Sequence, residues 1–359
     1  MDTCDNKLNV NYLLNKDKSK KKKRKEEKYI EIFCENDSDL YSPCIDMEGA
    51  LCVISEKGEI FRYKLENSKG DRKGMNISTA ASSSDDSEDG EDSNDEDDID
   101  SKENDQSDEH DEKFFDFIHG EQGVINIRKK SNIQKVQQEL YMNTDIATEC
   151  LCADNDYNFY VFDPMTGGLM VINKKKEIEL YTDEYEDQSF KGVNNLIYDK
   201  KKNLLYVVDS GNINEENKCN LFYINKDIET MISIDIPNIP YVHNICVYQK
   251  DNINDIYVCL TKENKIVRLI KKGNSYIKCH FLHLNGCYSP LFICTNNKNF
   301  VVLLKDLSDC EKKGKLLEIN SNAQVINSFF MNGNQFNGIC YDENVKKYFF
   351  IEKNIIYMY

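Results

Sequence analysis

No tryptophan occurs in the chain, proline occurs only five times, and no apolar run approaches the ~18 residues that a membrane-spanning helix needs. Residues 300–304 (FVVLL) are about as long as the apolar runs get, so no helical membrane span is expected. The opening segment, MDTCDNKLNVNYLLNK, lacks an apolar core behind a basic start, so no secretory export is expected either. No P-loop or dinucleotide-binding glycine pattern is present. No G-x-S-x-G elbow surrounds Ser210, so Asp209-Ser210-Gly211 reads as a turn that ends a strand rather than as a nucleophile.

Charge is abundant but local. Between Asp85 and Glu112 stand 17 acidic residues and one lysine, which accounts for nearly all of the chain's net charge of −17. Residues 16–28 carry nine Lys/Arg against three acids. Residues 1–27 are therefore expected to be a disordered basic tail, and residues 76–113 a disordered acidic insert, because neither buries enough apolar surface to order itself. Lys18 to Lys25 could act as a nuclear import signal. No aromatics interleave with these lysines, so nucleic acid is not an expected partner. Ser82, Ser83 and Ser93 each have an acid three residues downstream, a pattern that acidophilic kinases use, and are candidate phosphorylation sites. The 14 cysteines recur inside strand-like runs, where Cys behaves as a small hydrophobe. With no export signal they read as reduced thiols of a cytoplasmic protein.

The rest of the chain is built of short β-strands. Residues 193–225 (VNNLIYDKKKNLLYVVDSGNINEENKCNLFYIN) read as three strands separated by turns. The outline recurs: residues 42–66, 148–181, 193–234, 242–282, 289–330 and 337–359 form six units. Anchoring each unit on its second strand gives Leu51, Phe159, Leu205, Ile256, Phe300 and Tyr348, and the later spacings are 46, 51, 44 and 48 residues. Four-stranded units at that period predict a β-propeller. A solenoid would share the periodicity, but the sixth unit stops one strand short while residues 29–33 (YIEIF) form a spare strand before the first. An all-β, six-bladed propeller closed by its N-terminal strand uses both and removes two sheet edges. It would span residues 28–359, with the acidic insert in blade one. WD-type repeats do not fit a chain without Trp. Kelch repeats would need a Gly pair in every blade, and only Gly167-Gly168 supplies one.

Residues 194–211 (NNLIYDKKKNLLYVVDSG), 241–259 (YVHNICVYQKDNINDIYVC) and 288–304 (YSPLFICTNNKNFVVLL) together resemble the blades of strictosidine synthase-like proteins. They are also similar to the wider gluconolactonase and senescence-marker superfamily of six-bladed propellers. That resemblance implies a divalent cation at the channel mouth, held by a Glu of the first blade, Asn side chains of middle blades and an Asp of a later blade. Asn194 and Asn244 fall at the Asn positions. The Glu position falls at Tyr41 or Cys44 and the Asp position at Leu291, so both carboxylates are missing. Two neutral amides hold Ca²⁺ weakly. Asn194 and Asn244 therefore read as the vestige of a metal site, and no cofactor is expected. Glu352 lies near where the strictosidine-type catalytic Glu would stand. Two soft-ligand patterns remain. Cys279-His280-x-x-His283-x-x-x-Cys287 has zinc-like composition, but in a regular strand His280 and His283 would point to opposite faces. Cys150-x-Cys152 places two thiols on one face of a strand. The expected function is that of a monomeric, non-catalytic scaffold binding a protein partner, which the acidic run would favour as basic. The alternative is a divergent lactonase-like or strictosidine synthase-like enzyme acting on a small molecule at the channel mouth.

Overall fold

The computed structural model describes residues 28–65, 137–214, 218–236, 239–250, 253–273, 275–308 and 313–359, together with the backbone of three short strands, Phe115–Ile118, Glu121–Val124 and Ile127–Arg128. The expectations for residues 1–27 and 76–113, including Ser82, Ser83, Ser93 and Lys18 to Lys25, lie outside the described residues.

Six four-stranded antiparallel sheets follow one another as the blades of a propeller. Their inner strands are Leu40–Ile45, Leu51 being already in the second strand, then Leu151–Ala153, Val193–Asp199, Asn244–Lys250, Tyr288–Thr295 and Phe336–Asp342. The expected closure is present. Ile30–Glu35 pairs antiparallel with the last strand, Ile355–Met358, through Glu31↔Met358 and Ile32↔Tyr357, and completes blade six. The two-residue strand Ile127–Arg128 adds in parallel outside it. The turns at Gly49 and Gly58 both take positive φ (+79° and +81°), a conformation that glycine adopts without a Cβ penalty.

One element was not legible in advance. The outer strand of blade one is Gln138–Asn143, which pairs with Glu59–Tyr63. Its residues are largely exposed, so it carries no apolar alternation to mark it.

The core is divided among six clusters, one between each pair of neighbouring blades. This follows from strand alternation: each blade is a sheet buried on both faces, so its second strand is buried nearly throughout and apolar up to its last residue, as in Leu51–Ser55 and Leu204–Asp209. Ile30 is fully buried in the cluster between blades five and six, beside Phe350, Tyr357 and Tyr359, so the closing strand contributes to the core as well as to the hydrogen-bond ladder. Among the described residues no helix is long and apolar enough to cross a membrane.

Candidate functional site

The inner strands end on a repeated pattern. Cys44/Asp46, Cys152/Asp154, Ile197/Asp199, Cys246/Tyr248, Cys294/Asn296 and Cys340/Asp342 occupy matching places in blades one to six. In every blade but the fourth, where the strand runs two residues past Tyr248, the second residue of the pair stands at the turn to the next strand, and its side-chain oxygen caps that turn. Asp46 Oδ1 accepts from the Glu48 and Ala50 amides at 2.9 Å. Asp154 does the same for Asp156 and Asn158, Asp199 for Lys201 and Lys202, Asn296 for Lys298 and Asn299, and Asp342 for Asn344 and Val345. These are Asx turns, in which a short side chain replaces a missing backbone partner.

Two residues earlier lies the same face of the strand. That spacing puts five thiols, Cys44, Cys152, Cys246, Cys294 and Cys340, at one level around the central channel, with Ile197 as the sixth member. They line a cavity of about 400 Å³. Burial pushes the Cys152 and Cys294 thiols up to about 12 and holds Cys44, Cys246 and Cys340 well above the ordinary thiol range. The nearby Lys200 ammonium acts in the opposite sense on Cys44, Cys152 and Cys340, but more weakly than burial. The wall is therefore one of neutral S–H groups and aliphatic side chains, polarisable but not nucleophilic. Among the described residues no group of three or more His, Cys, Asp or Glu is placed to hold a metal ion.

Toward the strand starts, side chains close in across the lumen. Asn244 is buried; its Nδ2 donates to Asn195 Oδ1 of blade three (3.1 Å), and its Oδ1 accepts from the Ile293 amide of blade five (2.8 Å). Gly338 has φ +149°, and a Cβ there would stand 2.3 Å from Pro43 Cδ. Phe292 completes this floor. At the opposite, strand-end mouth the groups are polar. Lys200 Nζ donates to the Asp46 carbonyl (3.3 Å), spanning blade two, and Gln249 donates to Asp199.

Asn194 and Asn244 make separate sets of hydrogen bonds. Asn194 is the extra residue of a bulge between Val193 and Asn195, which turns it to the strand-start face. There its Oδ1 accepts from the Ser210 amide (3.0 Å), and its Nδ2 donates to the Gly211 carbonyl (3.2 Å) and to Tyr241 Oη (3.4 Å). Tyr41 is half-buried, and Leu291 sits in the core between blades five and six. Glu352 belongs to the second strand of blade six, off the channel, where it accepts from Tyr357 Oη (3.2 Å) and fills the space beside Gly333. Ser210 Oγ donates to the Val242 carbonyl (2.7 Å), a tie between blades three and four.

Two groups on the strand-start face escaped sequence reading. His243, one residue before an inner strand, packs edge-on to Phe292 (4.8 Å), and its Nδ1 lies 3.2 Å from Tyr241 Oη. Burial, helped by Lys305, brings its pKa down to about 4, so it is a neutral imidazole near pH 7. Glu149 stands close enough to Tyr241 to add to the burial that pushes that phenol up to about 12. A lone His and a lone Glu carry no spacing signal; a residue standing just before an inner strand was the only available clue.

The alternation argument for His280 and His283 fails. The outer strand of blade four carries one extra residue, with Val267 opposite His280 and Ile266 opposite Leu282, and the bulge brings the two rings to 6.2 Å. Both are exposed on the sheet edge. Cys150 and Cys152 do share one face, packed between blades two and three, and Cys150 Sγ donates to the Val193 carbonyl at 3.2 Å.

No protein-family model and no curated relative matches the chain. Solved structures do. A gluconolactonase from Xanthomonas campestris, described as important in glucose secondary metabolic pathways, is 8% identical with a TM-score of 0.59, over 91% of this chain and 87% of that one. The calcium-binding protein regucalcin from Agrobacterium tumefaciens is 8% identical with a TM-score of 0.56, over 91% and 92%. A streptogramin B lyase is 11% identical with a TM-score of 0.50, over 92% and 96%. At these identities what is common is the backbone architecture, and the chain has the six-bladed propeller fold of the gluconolactonase and regucalcin structures.

Proposed function

We propose that this protein binds a small, largely apolar molecule in its central channel. One observation carries the reading: a cavity of about 400 Å³, walled by five neutral thiols and aliphatic side chains, with polar groups gathered at its mouth. That volume falls within the range of about 300–1,000 Å³ typical of small-molecule sites, which combine an apolar wall with a few polar groups. The thiols are free, and all twelve described cysteines are unpaired, which suits a reducing, cytoplasmic compartment. A protein partner drawn by the charged tail and insert would add to this function, but that interaction rests on segments outside the described residues.

Lactonase-like hydrolysis is the second reading. It is favoured by the neutral His243 held against Tyr241 Oη, with Glu149 and Asn194 nearby, and by the fold common to this chain and a gluconolactonase. A neutral imidazole is the form that can accept a proton from water.

Purified full-length protein separates the two. Titration with propylbenzene, followed by ligand-detected NMR, should show saturable binding that Cys340→Phe abolishes by filling the channel. No saturable binding would overturn the channel reading. Turnover of lactones or aryl esters that His243→Ala removes would establish the hydrolase.

A further inference from the structure

Among the described residues, three buried side-chain polar atoms lack a hydrogen-bond partner: Tyr181 Oη, Ser328 Oγ and Asp342 Oδ2. Tyr181 lies on the outer strand of blade two and Ser328 on the outer strand of blade five. Asp342 alone lines the channel, and it is only 1% exposed. Its two oxygens are used unequally. Oδ1 accepts from the Asn344 amide at 2.5 Å and the Val345 amide at 3.2 Å, so the turn is capped by that oxygen alone. Oδ2 is left over. The corresponding second oxygens of Asp46 and Asp154 are engaged, by Arg62 and Cys52 at Asp46 and by Tyr160 and Asn158 at Asp154. A buried carboxylate oxygen without a donor is costly, and turn capping does not require it.

Asp342 and Cys340 lie on the same face of their strand and both line the channel, so the Asp342 carboxyl stands one step from the thiol ring, toward the strand-end mouth. A molecule with its apolar body against the thiols would bring its head to this oxygen. We infer that the ligand of the channel carries a protonated amine that donates to Asp342 Oδ2. This rests on the channel reading above and names the class of ligand. An ammonium suits the position better than a neutral donor because a charge-assisted hydrogen bond compensates a buried carboxylate most fully. The charged residues of the lining point the same way: Asp199, Asp342 and Glu343 stand against Lys200 and Lys201, and Lys200 is turned toward the Asp46 carbonyl. The polarisable thiol wall favours an aromatic body, since sulfur makes favourable contacts with ring edges.

Three probes of one shape test this on the full-length protein: phenethylamine, propylbenzene and 3-phenylpropionate. Phenethylamine should bind at least tenfold more tightly than propylbenzene. In Asp342→Asn, whose amide oxygen can still cap the turn, that preference should disappear while the propylbenzene affinity stays unchanged. Lys200→Met, which removes the ammonium at the mouth, provides a second variant and should not weaken the preference, because a neighbouring positive charge can only oppose an amine. Equal affinity for all three probes, or tightest binding of the carboxylate, overturns the amine inference and leaves the channel reading standing. A preference that first emerges in Lys200→Met also overturns it, because Lys200 would then be the carboxylate's partner. No binding of any probe overturns the channel reading and this inference together.

Discussion

Glu318 ties blade five to the residues that flank the closing strand and the last strand, and removing it should cost several times what removing its surface partner does. Its side chain is 1% exposed. It accepts from Lys28 Nζ at 2.7 Å, Asn299 Nδ2 at 2.9 Å, Tyr359 Oη at 2.8 Å and Asn327 Nδ2. Lys28 leads into the closing strand and Tyr359 is the final residue, so the carboxylate joins blade five to both ends of the ring. Burial alone would raise its pKa; the four donors outweigh burial and hold it below the ordinary glutamate range. Glu318→Ala removes the acceptor of one buried donor, Tyr359, and two half-buried ones, Asn299 and Asn327; at about 1–3 kcal/mol per unsatisfied group, with incomplete additivity, the loss should be about 2–4 kcal/mol. Lys28 is 52% exposed, so Lys28→Met should cost at most about 1 kcal/mol. The depressed folded-state pKa fixes the pH sense. The stabilisation is fully present above the unfolded glutamate pKa, about 4.3, and is lost as pH falls through the lower folded value. Urea denaturation of wild type, Lys28→Met, Glu318→Gln and Glu318→Ala between pH 3 and 7 measures all of this. Equal losses for Lys28→Met and Glu318→Ala would place the energy in the ion pair and refute the reasoning. So would a wild-type advantage over Glu318→Gln that does not shrink below pH 4.

Deleting residues 1–35 removes the closing strand and the fully buried Ile30, and should lower the melting temperature markedly, whereas deleting residues 1–26 should not; equal melting temperatures would contradict the closure energetics. Millimolar Ca²⁺ should leave the melting temperature of the protein unchanged, because the Asn194 and Asn244 oxygens already accept backbone hydrogen bonds. Binding at 100 times the dissociation constant would instead add about 2.7 kcal/mol, and losing that gain in Asn194→Ala would restore the metal site. Gly338→Ala should destabilise by about 1–3 kcal/mol in a urea melt, since its Cβ would stand 2.3 Å from Pro43 Cδ; an unchanged midpoint would show that the floor of the channel can yield.

The blade count, the period and the ring closure were legible in the sequence because each depends on local alternation and turn chemistry, which residues such as Leu51–Ser55 and the spare strand near Ile30 carry in themselves. Gln138–Asn143 was not, because an outer strand facing solvent needs no apolar face. His280 and His283 were misplaced because a bulge is set by the register of the partner strand, not by the residues that it displaces. The Cys-x-Asp pattern was present in the chain at three of six blades, yet spacing alone could not distinguish thiols in a sheet core from thiols around a lumen. Cys44 and Cys340 are neighbours only because the propeller closes, and whether the second oxygen of Asp342 finds a donor depends on residues that the fold brings to it, not on its own turn. Strands are specified by short-range pattern; the channel, its mouth and its unpaired carboxylate come from contacts between residues far apart in the chain, which no local pattern encodes.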